Sequence, residues 1–124
     1  MADVHESLLR SFRRTNLRGG FRETKSPMPT FRPDVFAEKV SSSGSVVEQV
    51  AVEAEISSTL FSEHTTHQLL LMDEFLRLQR AKRIRVRAFL LVPRKKAIGA
   101  HARSLLDSLF PGGTRIRLAE VAVG

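Results

Sequence analysis

Apolar residues recur along this chain in two periods, one helical and one extended, and the switches between them divide it into elements. Val4, Leu8, Leu9 and Phe12 fall three and four positions apart, Asp3 is placed to cap the first turn, and Gly19-Gly20 stop the chain soon after Leu17. A helix is expected there. Phe21 to Lys25 has the makings of a short strand, after which Pro27, Pro29 and Pro33 exclude regular interior structure. Pro33 to Val40 reads as a strand, Ser41-Ser42-Ser43-Gly44-Ser45 as a turn, and Val46 to Ile56, rich in β-branched residues, as the second arm of a hairpin. In that arm Val50, Val52, Ala54 and Ile56 share one face, and Glu53 and Glu55 share the other.

Ser57-Ser58-Thr59 offers caps before an amphipathic stretch from about Leu60 to Arg80. Its expected buried face holds His64, His67, Leu71, Phe75 and Leu78, widened by Leu70 and Met72. Arg85 to Pro93 is a strand whose apolar second half asks for cover on both sides. Lys95 to Phe110 predicts a helix closed by Pro111-Gly112-Gly113, and Arg115 to Val121 alternates as a last strand. The order α-β-β-α-β-α-β ends in a β-helix-β unit, for which a right-handed crossover and a mixed sheet of α/β class are expected.

With 124 residues the expectation is one domain, residues 1–124. The absence of cysteine excludes disulfides, thiolate zinc sites and cysteine nucleophiles. Apolar runs such as Ala88–Pro93 fall far short of the roughly 18 residues of a membrane span. The opening Met1-Ala2-Asp3-Val4-His5-Glu6 is polar and acidic, unlike a secretory leader, so a cytoplasmic location without membrane contact is expected.

The net charge of +7 is unevenly spread. Residues 1–32 carry seven Lys/Arg against three acids, residues 33–74 one Lys against eight acids, and residues 75–106 ten Lys/Arg and no acid. An acidic centre between basic flanks suits a phosphate-binding surface around a cation site; a solubilising basic surface is the plainer reading.

Asp34 opens the first hairpin strand and Glu53 and Glu55 lie in the second, so the turn can bring Asp34 to Glu53 on one face. Converging carboxylates raise one another's pKa unless a cation intervenes, and Mg²⁺ (or Mn²⁺) takes oxygen ligands and substrate phosphates together. The alternative is ordinary: Asp34 capping a turn, and two glutamates lining a wet strand face. Acids are depleted in strands, however, and two in the most apolar strand of the chain need a reason.

Pro33-Asp34 followed by Glu53-Ala54-Glu55 in an apolar strand resembles the bipartite signature of the PD-(D/E)XK nuclease superfamily, and the element order is similar to that of restriction endonuclease-like folds. The resemblance spans roughly Val4 to Val92. It implies that Asp34 and Glu53 are metal ligands, with the Ala54 carbonyl as a third. Glu6 matches an accessory acid, and Gln68 a polar residue that helps orient the site. Glu55 stands where the motif has lysine. It can bind a second metal or position the attacking water, Lys25 or Lys39 can replace the lysine from elsewhere, or the site only binds. The implied activity is metal-dependent phosphodiester hydrolysis, on DNA more than RNA, by a chain small enough that a homodimer is expected. The alternative is a non-catalytic nucleic-acid-binding or regulatory domain on the same scaffold. A third reading is an interaction module docking through the Leu60–Arg80 helix.

Arg83, Arg85 and Arg87 alternate at strand spacing and should share one face; Arg94, Lys95 and Lys96 open the following helix, and Arg115 and Arg117 repeat the pattern. Such side chains hold phosphate without reading sequence, although a solvated edge accounts for them equally well. His64 and His67 stand three apart on one helix, a metal-clamping spacing with no third ligand, and are expected to be partly buried and hydrogen-bonded. The eight Phe, without Tyr or Trp, belong to a core and not to a base-stacking platform.

Overall fold

The N-terminal apolar spacing forms α1, Val4–Asn16, capped by the Asp3 carboxylate, which accepts from the His5 N–H at 3.0 Å. The computed structural model describes residues 3–122; Met1 and Ala2, on which the leader reading partly rests, lie outside them. The chain then forms β1 (Phe21–Glu23), β2 (Val35–Val40), β3 (Val46–Ala54), α2 (Glu63–Ala81), β4 (Arg85–Pro93), α3 (Lys96–Leu109) and β5 (Arg117–Val121). The short strand at Phe21 does form, which adds a fifth strand to the expected order.

The five strands make one mixed sheet in the order β1-β2-β3-β4-β5. The first three pair antiparallel and the last three parallel, so β3 is both the second arm of the hairpin and the first strand of a β-helix-β unit. The two crossovers advance the same way across the sheet, so crossovers of one hand put α2 and α3 on the same face. There Leu69, Met72, Phe75, Ile98, Ala102 and Leu106 pack against Phe36, Ala51, Leu90 and Val92. On the other face Leu8, Leu9 and Phe12 of α1 pack on Val35, Val50, Val52 and Leu91. Phe12 meets the ring of Phe89 edge-on at 5.1 Å. Cover on both sides explains the near-continuous apolar run of β4.

Two sequence expectations shift. The helix after the hairpin begins at Glu63, not Leu60, because Thr59 turns back on Ile56 and Ser62 supplies the cap, accepting from the Thr65 N–H at 3.1 Å. Its buried stripe is rotated from the expected one. Thr65, Gln68, Leu69, Met72, Phe75, Leu76 and Gln79 face inward, whereas His64 and His67 are exposed and Leu70 and Leu78 are 45% and 50% exposed. Three of the inward residues are polar, and each is tied down. The Thr65 hydroxyl donates to the Thr59 carbonyl at 2.9 Å, Gln68 accepts from the Arg32 N–H at 2.9 Å, and Gln79 donates to Gln49 at 2.6 Å. A buried polar group so satisfied costs little, and hydropathy alone does not foresee it. Among the described residues no helix is long and apolar enough to cross a membrane.

Candidate metal centre

The hairpin register decides the site. Val35 lies opposite Val52, so Asp34, one residue before β2, meets the last residues of β3. Its N–H donates to Glu53 Oε1 at 3.2 Å, and its Oδ2 accepts from the Ala54 N–H at 2.8 Å. The Glu55 N–H turns the other way, to the Leu91 carbonyl of β4 at 2.9 Å. Glu53 and Glu55 point from the same face of β3, and one carboxylate oxygen from each of Asp34, Glu53 and Glu55 lies within 4.8 Å of the other two. The expected convergence is therefore present. The ordinary reading of two glutamates on a wet face is not: Glu53 is 2% and Glu55 5% exposed.

Neither buried carboxyl has a basic partner among the described residues. Burial pushes the Glu53 carboxyl up to about 9. The charges of Asp34 and Glu55 add to this, the Asp34 N–H opposes it, and a hydrogen bond with Glu55 that needs the proton adds further. Without a cation, Glu53 is a neutral acid at pH 7.

The group opens into a cleft of ≈ 490 Å³, lined also by Asp3, His5, Ile56, Thr59, Ser62, His64 and Thr65. His5 is the residue that sequence reasoning missed. It reaches from the first turn of α1 to place Nε2 3.2 Å from Asp34 Oδ2. Its phase was a signal: it lies three, four and seven positions before Leu8, Leu9 and Phe12, on the stripe that packs against the sheet. Glu6, one position off that phase, is exposed and touches only the far side of His5, at 3.9 Å from Nδ1. Glu6 thus stands outside the cleft.

Other assignments also move. Gln68 is buried beneath the loop before Asp34, where it accepts from the Arg32 N–H and donates to the Thr30 carbonyl at 3.4 Å; it shapes the approach to Asp34 and does not line the cleft. Lys39 pairs across from Phe21 and sits over that ring at 5.9 Å, at the far end of β2 from Asp34. Lys25 is exposed and does not line the cleft. Among the described residues that line the cleft there is no lysine to take the place that Glu55 occupies.

The basic residues divide between the two ends of the sheet. Arg94, Lys95 and Lys96 follow the C-terminal end of β4, the carboxylate end. Arg85 and Arg87 lie at the other, two apart on one face of β4 as expected, but Arg83 does not join them, because it sits in the turn before β4 with φ 61°. Arg87 is held by Glu48 at 2.9 Å and lies over the Phe21 ring at 5.8 Å. Arg115 likewise precedes β5, which begins at Arg117.

No family model, curated protein or solved structure matches the chain. Three carboxylates of hard oxygen, two of them buried without a counter-charge, suit a hard divalent cation, and strand geometry aims the Ala54 carbonyl to the same side as its N–H.

Proposed function

We propose that the chain is a metal-dependent phosphodiesterase acting on DNA, on a restriction endonuclease-like scaffold, with Asp34, Glu53 and Glu55 holding Mg²⁺ or Mn²⁺. The observation that carries this reading is the pair of buried glutamates beside Asp34 with no basic side chain paired to them among the described residues. A divalent cation, when bound, supplies Lewis acidity to a phosphodiester and makes water easier to deprotonate. The chain's residues do the rest. The Ala54 N–H fixes Asp34 Oδ2, the Asp34 N–H fixes Glu53 Oε1, and Glu55, free of a basic partner, is placed to take a proton from water. His5 holds Asp34 from the opposite side of the sheet, and the neighbouring Arg94, Lys95 and Lys96 supply positive charge for a phosphate backbone.

Asp34→Asn tests the reading more cleanly than Asp34→Ala, which would also orphan the Ala54 N–H. Plasmid and oligonucleotide cleavage is expected with Mn²⁺ or Mg²⁺, and its loss in Asp34→Asn with an unchanged circular-dichroism spectrum. A wild-type protein that cleaves neither DNA nor RNA with either metal ends the enzymatic claim. His5→Ala is expected to weaken Mn²⁺ binding about tenfold, as removal of a partner that orients a ligand does; calorimetric titration of the metal-free protein checks it.

A second reading is a binding domain on the same scaffold, favoured by the lack of any Lys or Arg among the residues lining the cleft. It predicts salt-sensitive DNA binding that persists in EDTA and survives Asp34→Asn.

A further inference from the structure

At the other end of the sheet two adjoining hollows share Leu76, Arg80 and Arg115. The larger, ≈ 480 Å³, lies between the last turns of α2 and the Gly112–Arg115 loop; the smaller, ≈ 190 Å³, continues it over Arg85 at the start of β4. Arg77, Arg80 and Arg115 line the larger and Arg80, Arg85 and Arg115 the smaller, so Arg80 and Arg115 border both. One acid lines the groove, Asp73, and it is already satisfied: Arg77 Nε lies 3.3 Å from Oδ2 and the Thr114 hydroxyl donates to Oδ1 at 2.6 Å. Arg80, Arg85 and Arg115 have no carboxylate partner among the described residues. Nor do the last carbonyls of α2 draw them in, since those of Gln79 and Arg80 accept from the backbone N–H groups of Lys82, Arg83 and Ile84.

Two uncompensated cations bordering one groove, Arg80 and Arg115, repel one another until an anion enters. Guanidinium forks fit phosphate oxygens in pairs. An internal phosphodiester brings a single negative charge to a point, whereas a pair of unpaired arginines matches a dianion. Gly112 and Gly113 leave the rim without side chains to obstruct entry. We propose that the groove binds a phosphate group carrying two or more charges, either a free oligophosphate or the terminal phosphate of a nucleic acid. It is separate from the carboxylates, which lie at the C-terminal end of β3. The nine residues of β4 put roughly 25 Å between the two ends. The inference therefore stands or falls apart from the nuclease reading.

Calorimetry in EDTA at low ionic strength, with pyrophosphate as the probe, tests it. Saturable binding at one site is expected. Arg80→Gln and Arg115→Gln should each weaken it about tenfold or more, and the double variant should abolish it. Arg103→Gln, which removes an exposed charge from α3 outside the groove, should leave it unchanged. A 5′-phosphorylated tetranucleotide that binds at least tenfold tighter than its 5′-hydroxyl counterpart assigns the source to a nucleic-acid end. No such preference, with pyrophosphate still bound, assigns it to a free oligophosphate. If neither probe binds, or a double variant with an unchanged melting curve binds as the wild type does, the proposal is overturned. EDTA removes any metal contribution, so this result is independent of Asp34 and Glu53.

Discussion

Glu53→Gln is expected to make the metal-free protein more stable at pH 7 by about 3 kcal/mol while cutting Mn²⁺-dependent cleavage about a thousandfold. The stability gain follows from the proton that the fold holds. Burial, followed by the charges of Asp34 and Glu55, raises the Glu53 carboxyl from 4.5 to about 9. Between those values the native state binds more protons than the unfolded chain, so stability falls as pH rises. From 4.5 to 7 the loss amounts to about 3 kcal/mol. Glutamine has no proton to lose, keeps an oxygen for the Asp34 N–H and offers an N–H where the neutral acid has its O–H. The activity loss is the rate equivalent of the several kcal/mol a Lewis acid supplies to the transition state. Urea unfolding in EDTA at pH 5, 7 and 8.5 checks the first part: wild-type stability should decline across the series and the variant's should stay flatter. Wild-type stability that is level or rises with pH would sink the account. Mn²⁺ should raise the melting temperature of the wild type and leave that of Glu53→Gln unmoved, because the neutral amide offers the cation no anionic oxygen.

The second large effect concerns the core beneath the hairpin. Phe75→Ala is expected to cost about 3–5 kcal/mol. The ring is buried and stands 5.4 Å from Phe31 and 5.6 Å, edge-on, from Phe36, so its loss opens a cavity that α2 cannot close without leaving Ala51 and Leu90. Phe31 is in the loop that leads to Asp34, three residues ahead of it. The same variant should therefore lower metal affinity as well as the denaturation midpoint. An unfolding free energy within 1 kcal/mol of wild type, in matched denaturant titrations, would contradict this packing.

Much of this architecture was legible in the chain because strong local periods carry it. α1, the hairpin, β4 and α3 each follow apolar spacing and turn residues within a few positions. The Asp34–Glu53 approach follows from hairpin register, and so it too was legible. What escaped depends on long-range satisfaction of polar groups. The face of α2 was misjudged because Leu70 and Leu78 outweigh Thr65, Gln68 and Gln79 in hydropathy, yet the polar three find partners at Thr59, Arg32 and Gln49. Gln68 drew attention as a site residue for the same polarity that lets it anchor a loop. His5 escaped because its partner is 29 residues away, and only the docking of α1 on the sheet brings them together. Lys39 failed as a substitute lysine because strand length carries it to the opposite end of β2.

The borders of the sheet have a consequence for how the molecule behaves in a crowd. β1 is only three residues long and exposes Arg22 and Glu23; β5 is five long and turns Arg117 and Glu120 outward. A neighbour seeking to extend the sheet would find a ribbon too brief to template it on one flank and the exposed charges of Arg117 and Glu120 on the other, the arrangement by which natural proteins discourage fibre growth.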